Sequence, residues 1–127
     1  MRILNHAYRL YVEPNKLEAV ISFYEKFQSI TCGPRFVVSQ AGLEVAVVGR
    51  FILLSGEPAA LEPVRHVQAV LTVDALDEVH AWLQNQGAQI ITAPHRAGAG
   101  GRNLVAVNPD GLVAEYYEAP RSSGDAP

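Results

Sequence analysis

A chain of 127 residues is one domain's worth, and with 49% hydrophobic and 18% charged residues it has the composition of a protein that buries a core. Ten Lys and Arg against thirteen Asp and Glu give a net charge of −3, so no basic field is available for nucleic acid or for an anionic membrane surface. The single cysteine, Cys32, excludes an internal disulfide and a cysteine-rich zinc site.

Residues Ile3 to Val12 alternate apolar and polar, with Tyr8, Tyr11 and Val12 as strand formers, and predict a first strand. Asn15 stands three residues before Glu18, a capping-box spacing. Leu17, Val20, Ile21 and Tyr24 then recur at helical period, widened by Phe23 and Phe27, so a helix is predicted from about Lys16 to Gln28. Thr31 to Val38, interrupted by Gly33-Pro34, Leu43 to Val48, and Phe51 to Ser55 read as three strands, with turns at Gly42 and Gly49-Arg50. Residues 57–63 read as a linker.

The pattern then restarts. His66 to Val73 predicts a strand, and Asp74 caps a helix carrying Leu76, Val79 and Leu83 that ends at Gly87. Gln89 to Thr92, Asn103 to Val107 and Leu112 to Tyr117 are three further strands, the last two joined by the turn Asn108-Pro109-Asp110-Gly111. Residues 120–127 are small and polar and are expected to be a disordered tail. No run approaches the roughly 18 apolar residues of a membrane span, and the first residues hold no long apolar segment, so a cytoplasmic protein is expected.

The two halves share the order strand, helix, three strands. Leu17-Glu18-Ala19-Val20 aligns with Leu76-Asp77-Glu78-Val79, Phe23 with Trp82, and cap Asn15 with cap Asp74. The expected fold is α+β, with two βαβββ modules (1–56 and 64–119) forming curved mixed sheets around a cavity. This layout resembles the vicinal oxygen chelate superfamily of glyoxalase I, bleomycin-resistance proteins and ring-cleaving dioxygenases. Three stretches carry the resemblance: Ile3–Val12 with Ser22-Phe23-Tyr24-Glu25; His66–Trp82; and Gly101-Arg102-Asn103 through Asn108-Pro109-Asp110-Gly111 to Glu115.

The resemblance implies four metal-ligand positions, on the first and last strand of each half. By local motif, with Gly49 of the first half aligned on Gly111 of the second, they fall on Ala7, Leu53, Gln68 and Glu115. Alanine and leucine donate nothing, so no metal is expected; a divalent ion, if bound, would take Glu115, Gln68 and His66. His6 points to the other face of its strand, and strand-end surface histidines are the plainer reading of His6 and His66.

Strand alternation groups Arg9 and Tyr11, Phe51 and Leu53, His66, Gln68 and Val70, and Glu115 and Tyr117 as a mostly apolar ligand-binding wall with a few polar groups. Arg9 and Glu115 are expected to pair, either in a pocket or as a structural ion pair in a filled core. Glu115 is the candidate general acid or base. Gly98-Ala99-Gly100-Gly101 reads as a flexible hairpin loop able to lie over a pocket mouth, Arg102 as a solvated side chain or a contact for an anionic ligand, and Cys32 as a small buried residue. His80 and His95 have no ligand-type spacing.

The sequence therefore points to a metal-free, cytoplasmic, homodimeric protein that sequesters or senses an apolar or aromatic small molecule. The alternative is a metal-dependent lyase, isomerase or dioxygenase of the same superfamily; a scaffold without a ligand is the third reading.

Overall fold

The computed structural model describes residues 1–98 and 100–120. The expected tail, apart from Pro120, and Ala99 of the glycine loop lie outside the described residues. Two compact units are present, and they are not contiguous halves: one holds residues 7–68, the other residues 1–6 together with the chain from Ala69 onward. Strand β1 (Ile3–Val12) is divided between them.

In the 7–68 unit, helix α1 (Leu17–Gln28) follows β1, then come β2 (Arg35–Val38), β3 (Leu43–Val48) and β4 (Phe51–Ser55). β2 and β3 pair antiparallel, as do β3 and β4, and β4 runs parallel to β1 with Leu10 beside Leu53. The amphipathic stripe of α1 lays Leu17 and Ile21 on Leu10, Val12, Ala46, Val48 and Leu53. Arg35 ties β2 to the helix and to β3 through Glu18 and Glu44, an exposed triad of small energetic weight.

The expected linker contains a short helix, α2 (Pro58–Leu61), started by Pro58 at its first position. Leu61 of α2 packs with Leu43, Val45, Leu54 and Tyr11 on the sheet face that α1 leaves open. Beyond α2 the backbone turns, with Val64 and Arg65 N–H groups on the Leu61 carbonyl at 3.1 and 2.9 Å. This turn corrects the expectation of a strand from His66: β5 begins at Ala69, and His66 lies in the turn.

In the other unit, β5 (Ala69–Val73) is followed by α3 (Leu76–Asn85), β6 (Gln89–Arg96), β7 (Arg102–Val107) and β8 (Val113–Glu118). β5 runs parallel to β8, β8 antiparallel to β7, and β7 antiparallel to β6 with two register shifts along β6. Leu76, Val79 and Leu83 of α3 pack on Leu71, Val73, Leu104, Ala106, Ala114 and Tyr116. Each module is thus strand, helix, three strands, and the fold is α+β as expected.

Both expected helix caps are corrected. Pro14–Lys16 form a 3-10 turn that takes up Asn15, so α1 starts at Leu17 without a side-chain cap. Asp74 is used elsewhere, its Oδ1 accepting the Arg2 N–H at 2.7 Å. The first N–H of α3, on Leu76, donates instead to Glu118 Oε1 of β8 at 2.9 Å, which places a carboxylate at the positive end of the helix. Among the described residues no helix is long and apolar enough to cross a membrane.

Leu53 is fully buried at 0% exposure under α1, whereas Leu4 is exposed. Leu53→Ala is expected to destabilise the protein by about 2–5 kcal/mol, seen as a lower denaturant midpoint at unchanged m value. Leu4→Ala should stay within about 0.5 kcal/mol of the parent.

Candidate functional site

The face of the β5–β8–β7 sheet turned away from α3 collects Val70 and Thr72 from β5, Val113, Glu115 and Tyr117 from β8, and Asn103 and Val105 from β7. Their neighbours Leu71, Val73, Leu104, Ala106, Ala114 and Tyr116 all belong to the core beneath α3, so alternation settles the assignment. In register, Val70 and Val105 flank Glu115, and Thr72 and Asn103 flank Tyr117. Three of the predicted site residues, Val70, Glu115 and Tyr117, therefore share one face.

Asn103 joins them and was not among the predicted site residues. Its Nδ2 donates to Glu115 Oε2 at 2.8 Å, and its Oδ1 is buried with no hydrogen-bond partner among the described residues. Alternation within the strand puts Asn103 on the same face as Val105, but that this face carries Glu115 depends on the pairing of β7 with β8. The Tyr117 hydroxyl donates to the Gly100 carbonyl at 2.9 Å and so ties the glycine loop to this face. Gly101 has φ +73°, and a Cβ there would strike the Glu118 carbonyl oxygen, so glycine is required at this point. Arg102 forks onto Asp77 of α3 at 2.9 and 3.2 Å rather than standing ready for a ligand.

In the 7–68 unit the face turned away from α1 carries Arg9 and Tyr11 of β1 with Ile52 and Leu54 of β4. The Arg9 guanidinium carbon lies 5.7 Å from the centre of the Tyr11 ring. The Tyr11 hydroxyl points at the carbonyls of Val64 and Val67, at 2.7 and 2.6 Å. Phe51 and Leu53 are corrected: they lie on the opposite face, in the core under α1, with Leu10 and Val12. The physical reason is turn length. Two residues, Gly49-Arg50, join β3 to β4, but five, Asn108 to Leu112, join β7 to β8. Aligning Gly49 with Gly111 therefore shifts parity by one residue. The pairings Leu10 with Leu53 and Leu71 with Tyr116 make Leu53 the counterpart of Tyr116, so Ile52 is the counterpart of Glu115.

His66 and Gln68 are both exposed and precede β5, so the expectation that they continue its alternation does not hold. Gln68 meets β1 through its backbone, its carbonyl accepting the Arg9 N–H at 3.1 Å.

The divalent metal that the resemblance implies does not fit this donor set. Ala7 has no donor, and neither Leu53 nor the corrected position Ile52 has one. Gln68 and Glu115 are the ligand-type side chains that remain. Among the described residues no three or more His, Cys, Asp or Glu side chains come together in a manner able to hold an ion.

Burial pushes the Tyr117 phenol above the ordinary tyrosine range, and the charge of Glu115 on the same face pushes it further. Tyr116, on the other face, is also raised, first by burial, against the opposing hydrogen bond to Asn108. The Cys32 thiol is raised by burial as well, which makes it a poor nucleophile.

No family model and no curated protein matches the chain. Solved structures do. An uncharacterized protein from Methanosarcina mazei is 35% identical, with 97% of this chain and 98% of the other covered at a TM-score of 0.84. Methylmalonyl-CoA epimerase from Mycobacterium tuberculosis is 17% identical, with 98% and 93% covered and a TM-score of 0.72. A variant of the Streptomyces coelicolor methylmalonyl-CoA epimerase in complex with 2-nitronate-propionyl-CoA is 17% identical, with 95% and 99% covered and a TM-score of 0.63.

Tyr117 gives a test of the face it shares with Glu115. Its raised pKa means that the folded protein keeps the phenol proton while the unfolded chain releases it. The stability this contributes is whole below the unfolded value of about 10 and is lost as pH rises through the folded value. Tyr117→Phe should lower stability by about 1 kcal/mol at neutral pH through the lost bond to Gly100. It should also make the alkaline decline shallower, as read from denaturant melts between about pH 8 and 11.

Proposed function

We propose that the chain is a member of the vicinal oxygen chelate superfamily, whose layout its sequence resembles, and that it binds a small organic molecule without a metal ion. The observation that carries this reading is the pair Asn103–Glu115. A single carboxylate, held by an amide at 2.8 Å, stands on a face otherwise made of Val70, Thr72, Val105, Val113 and Tyr117. That composition suits a ligand with an apolar or aromatic body and one polar handle. Glu115 and Asn103 take the handle, the carboxylate accepting a donor and the buried Asn103 Oδ1 accepting a second. Val70 and Tyr117 give the ligand body apolar contact. Arg9, Tyr11 and Gln68 stay candidate contacts of the 7–68 unit, to which they belong, while Phe51 and Leu53 lie in the core under α1.

The donor set supports the metal-free reading, since aliphatic side chains occupy the positions where the superfamily resemblance calls for ligands. The competing reading is a metal-dependent isomerase or lyase. The fold shared with the epimerases favours it, and Glu115 would then be the donor that this face supplies. In either reading Glu115 is the group placed to hold or move a proton at the ligand. An acyl-coenzyme A belongs among the ligands to be tried, because one of the similar epimerases is complexed with such a compound. A cytoplasmic homodimer completes the proposal. The exposed rings of Tyr8, Phe23 and Phe27 support an apolar subunit interface.

Two measurements test it. Purified protein should contain far less than one equivalent of zinc, nickel, manganese or iron by elemental analysis. Its melting temperature should rise with a subset of aromatic acids and acyl-coenzyme A compounds, and that rise should vanish in Glu115→Ala. One equivalent of metal lost in Glu115→Ala would instead establish the isomerase reading. Sedimentation should give a dimer that weakens on Phe23→Ser with Phe27→Ser; a monomer at all concentrations refutes the interface.

A further inference from the structure

The unit built on β5–β8 has a cavity on the helix side of its sheet, and thus on the face opposite Glu115. It measures about 410 Å³ and lies between α3, β5 and the turn after β7. Val73, Val79 and the Tyr116 ring form its apolar wall, and Trp82, Gln86 and Asn108 stand around it. We propose that this cavity binds a flat, neutral aromatic molecule carrying a hydrogen-bond acceptor such as a carbonyl oxygen.

The internal repeat carries the argument. Trp82 occupies the helix position that Phe23 occupies on α1. Phe23 meets Tyr24 edge-on at 5.0 Å and lies 5.8 Å from Phe27, while Tyr24 stacks on Phe51 at 4.3 Å. The first unit thus supplies its own rings. The residues matching Tyr24 and Phe27 are Leu83 on α3 and Gln86 just past its end. Trp82, 46% exposed, has no ring partner among the described residues. A cavity stands where the first helix has an aromatic cluster, and a planar ligand would restore the stacking that Trp82 lacks.

The polar groups define the rest of the ligand. The Tyr116 hydroxyl donates to Asn108 Oδ1 at 2.7 Å, which leaves the Asn108 Nδ2 as a donor. The Gln86 amide and the indole N–H of Trp82 can donate as well, so a ligand bearing an acceptor matches the lining. Met1 and Arg2 also line the cavity, and the Met1 amino group is paired with the Glu78 carboxylate at 3.2 Å, which lessens the pull on an anion and leaves a neutral molecule as the better fit to the apolar wall. The volume is within the range of about 300–1,000 Å³ typical of small-molecule sites.

Coumarin is a suitable probe: planar, uncharged and bearing a lactone carbonyl. Trp82 is the single tryptophan of the chain, so its indole N–H gives one signal in a nitrogen-15 correlation spectrum of the full chain. Titration with coumarin should shift that signal and the side-chain amides of Gln86 and Asn108 saturably. Trp82→Ala, read on the two amides, should raise the midpoint roughly tenfold, the scale of one lost aromatic contact with its buried area. Gln86→Phe, which supplies the ring found at Phe27, should weaken binding comparably, while Glu115→Gln should leave it unchanged. The proposal is overturned by an absence of saturable shifts, by undiminished binding in Trp82→Ala, or by shifts confined to Val70, Asn103 and Tyr117. Shifts that follow protein concentration without coumarin also overturn it, because the occupant would then be a second copy of the chain.

Discussion

Leu10 and Leu53 lie side by side on the parallel pair β1–β4, and with Val12 they form the floor on which α1 rests through Leu17 and Ile21. Alternate side chains of a strand point to opposite faces, so committing these residues to the helix commits Arg9, Tyr11, Ile52 and Leu54 to the other side. The same rule operates on β5–β8, where Leu71 and Tyr116 under α3 leave Val70, Glu115 and Tyr117 facing away. Burial of one helical stripe thus decides which residues are core and which can meet a ligand. A slip of one residue would exchange the two sets.

The chemistry that this leaves exposed is sparse and specific. β8 delivers Glu115 and Tyr117 to one face and Tyr116 to the other, and each face then acquires an asparagine from outside the strand: Asn103 for Glu115, Asn108 for Tyr116. An amide fixes the orientation of an acceptor or a phenol through one bond and retains further hydrogen-bonding capacity. Both faces therefore combine an anchored polar group with apolar surroundings.

Much of this was legible in the sequence, because it rests on local pattern. The bounds of β1, β3 and β4 follow from alternation and from Gly42 and Gly49-Arg50. What escaped was either too short or too distant to leave a local trace. α2 spans four residues, less than the periodicity needed to distinguish a helix from a loop. Asn15 and Asp74 are cap-type residues, yet the α3 terminus is served by Glu118, 42 positions away, a partner outside any local window. The side of Phe51 and Leu53 was misassigned because a shared glycine was read as a shared register while the two turns differ in length. Asn103 was passed over because its role depends on the neighbouring strand.

The division of β1 bears on how the molecule comes to fold. Arg2 and Asp74 are hydrogen-bonded in both directions, backbone to side chain and backbone to backbone, although 72 positions separate them. Residues 1–6 are synthesised before the whole of the other unit, and their partners from Ala69 onward after it. The entropy of closing so long a loop grows only logarithmically with its length, so the final stability suffers little. The rate is more sensitive, because contacts distant in sequence form slowly. The 7–68 unit has all its strands in one continuous stretch and can assemble first. The other closes late, because residues 1–6 must wait for their partners in the chain from Ala69 onward.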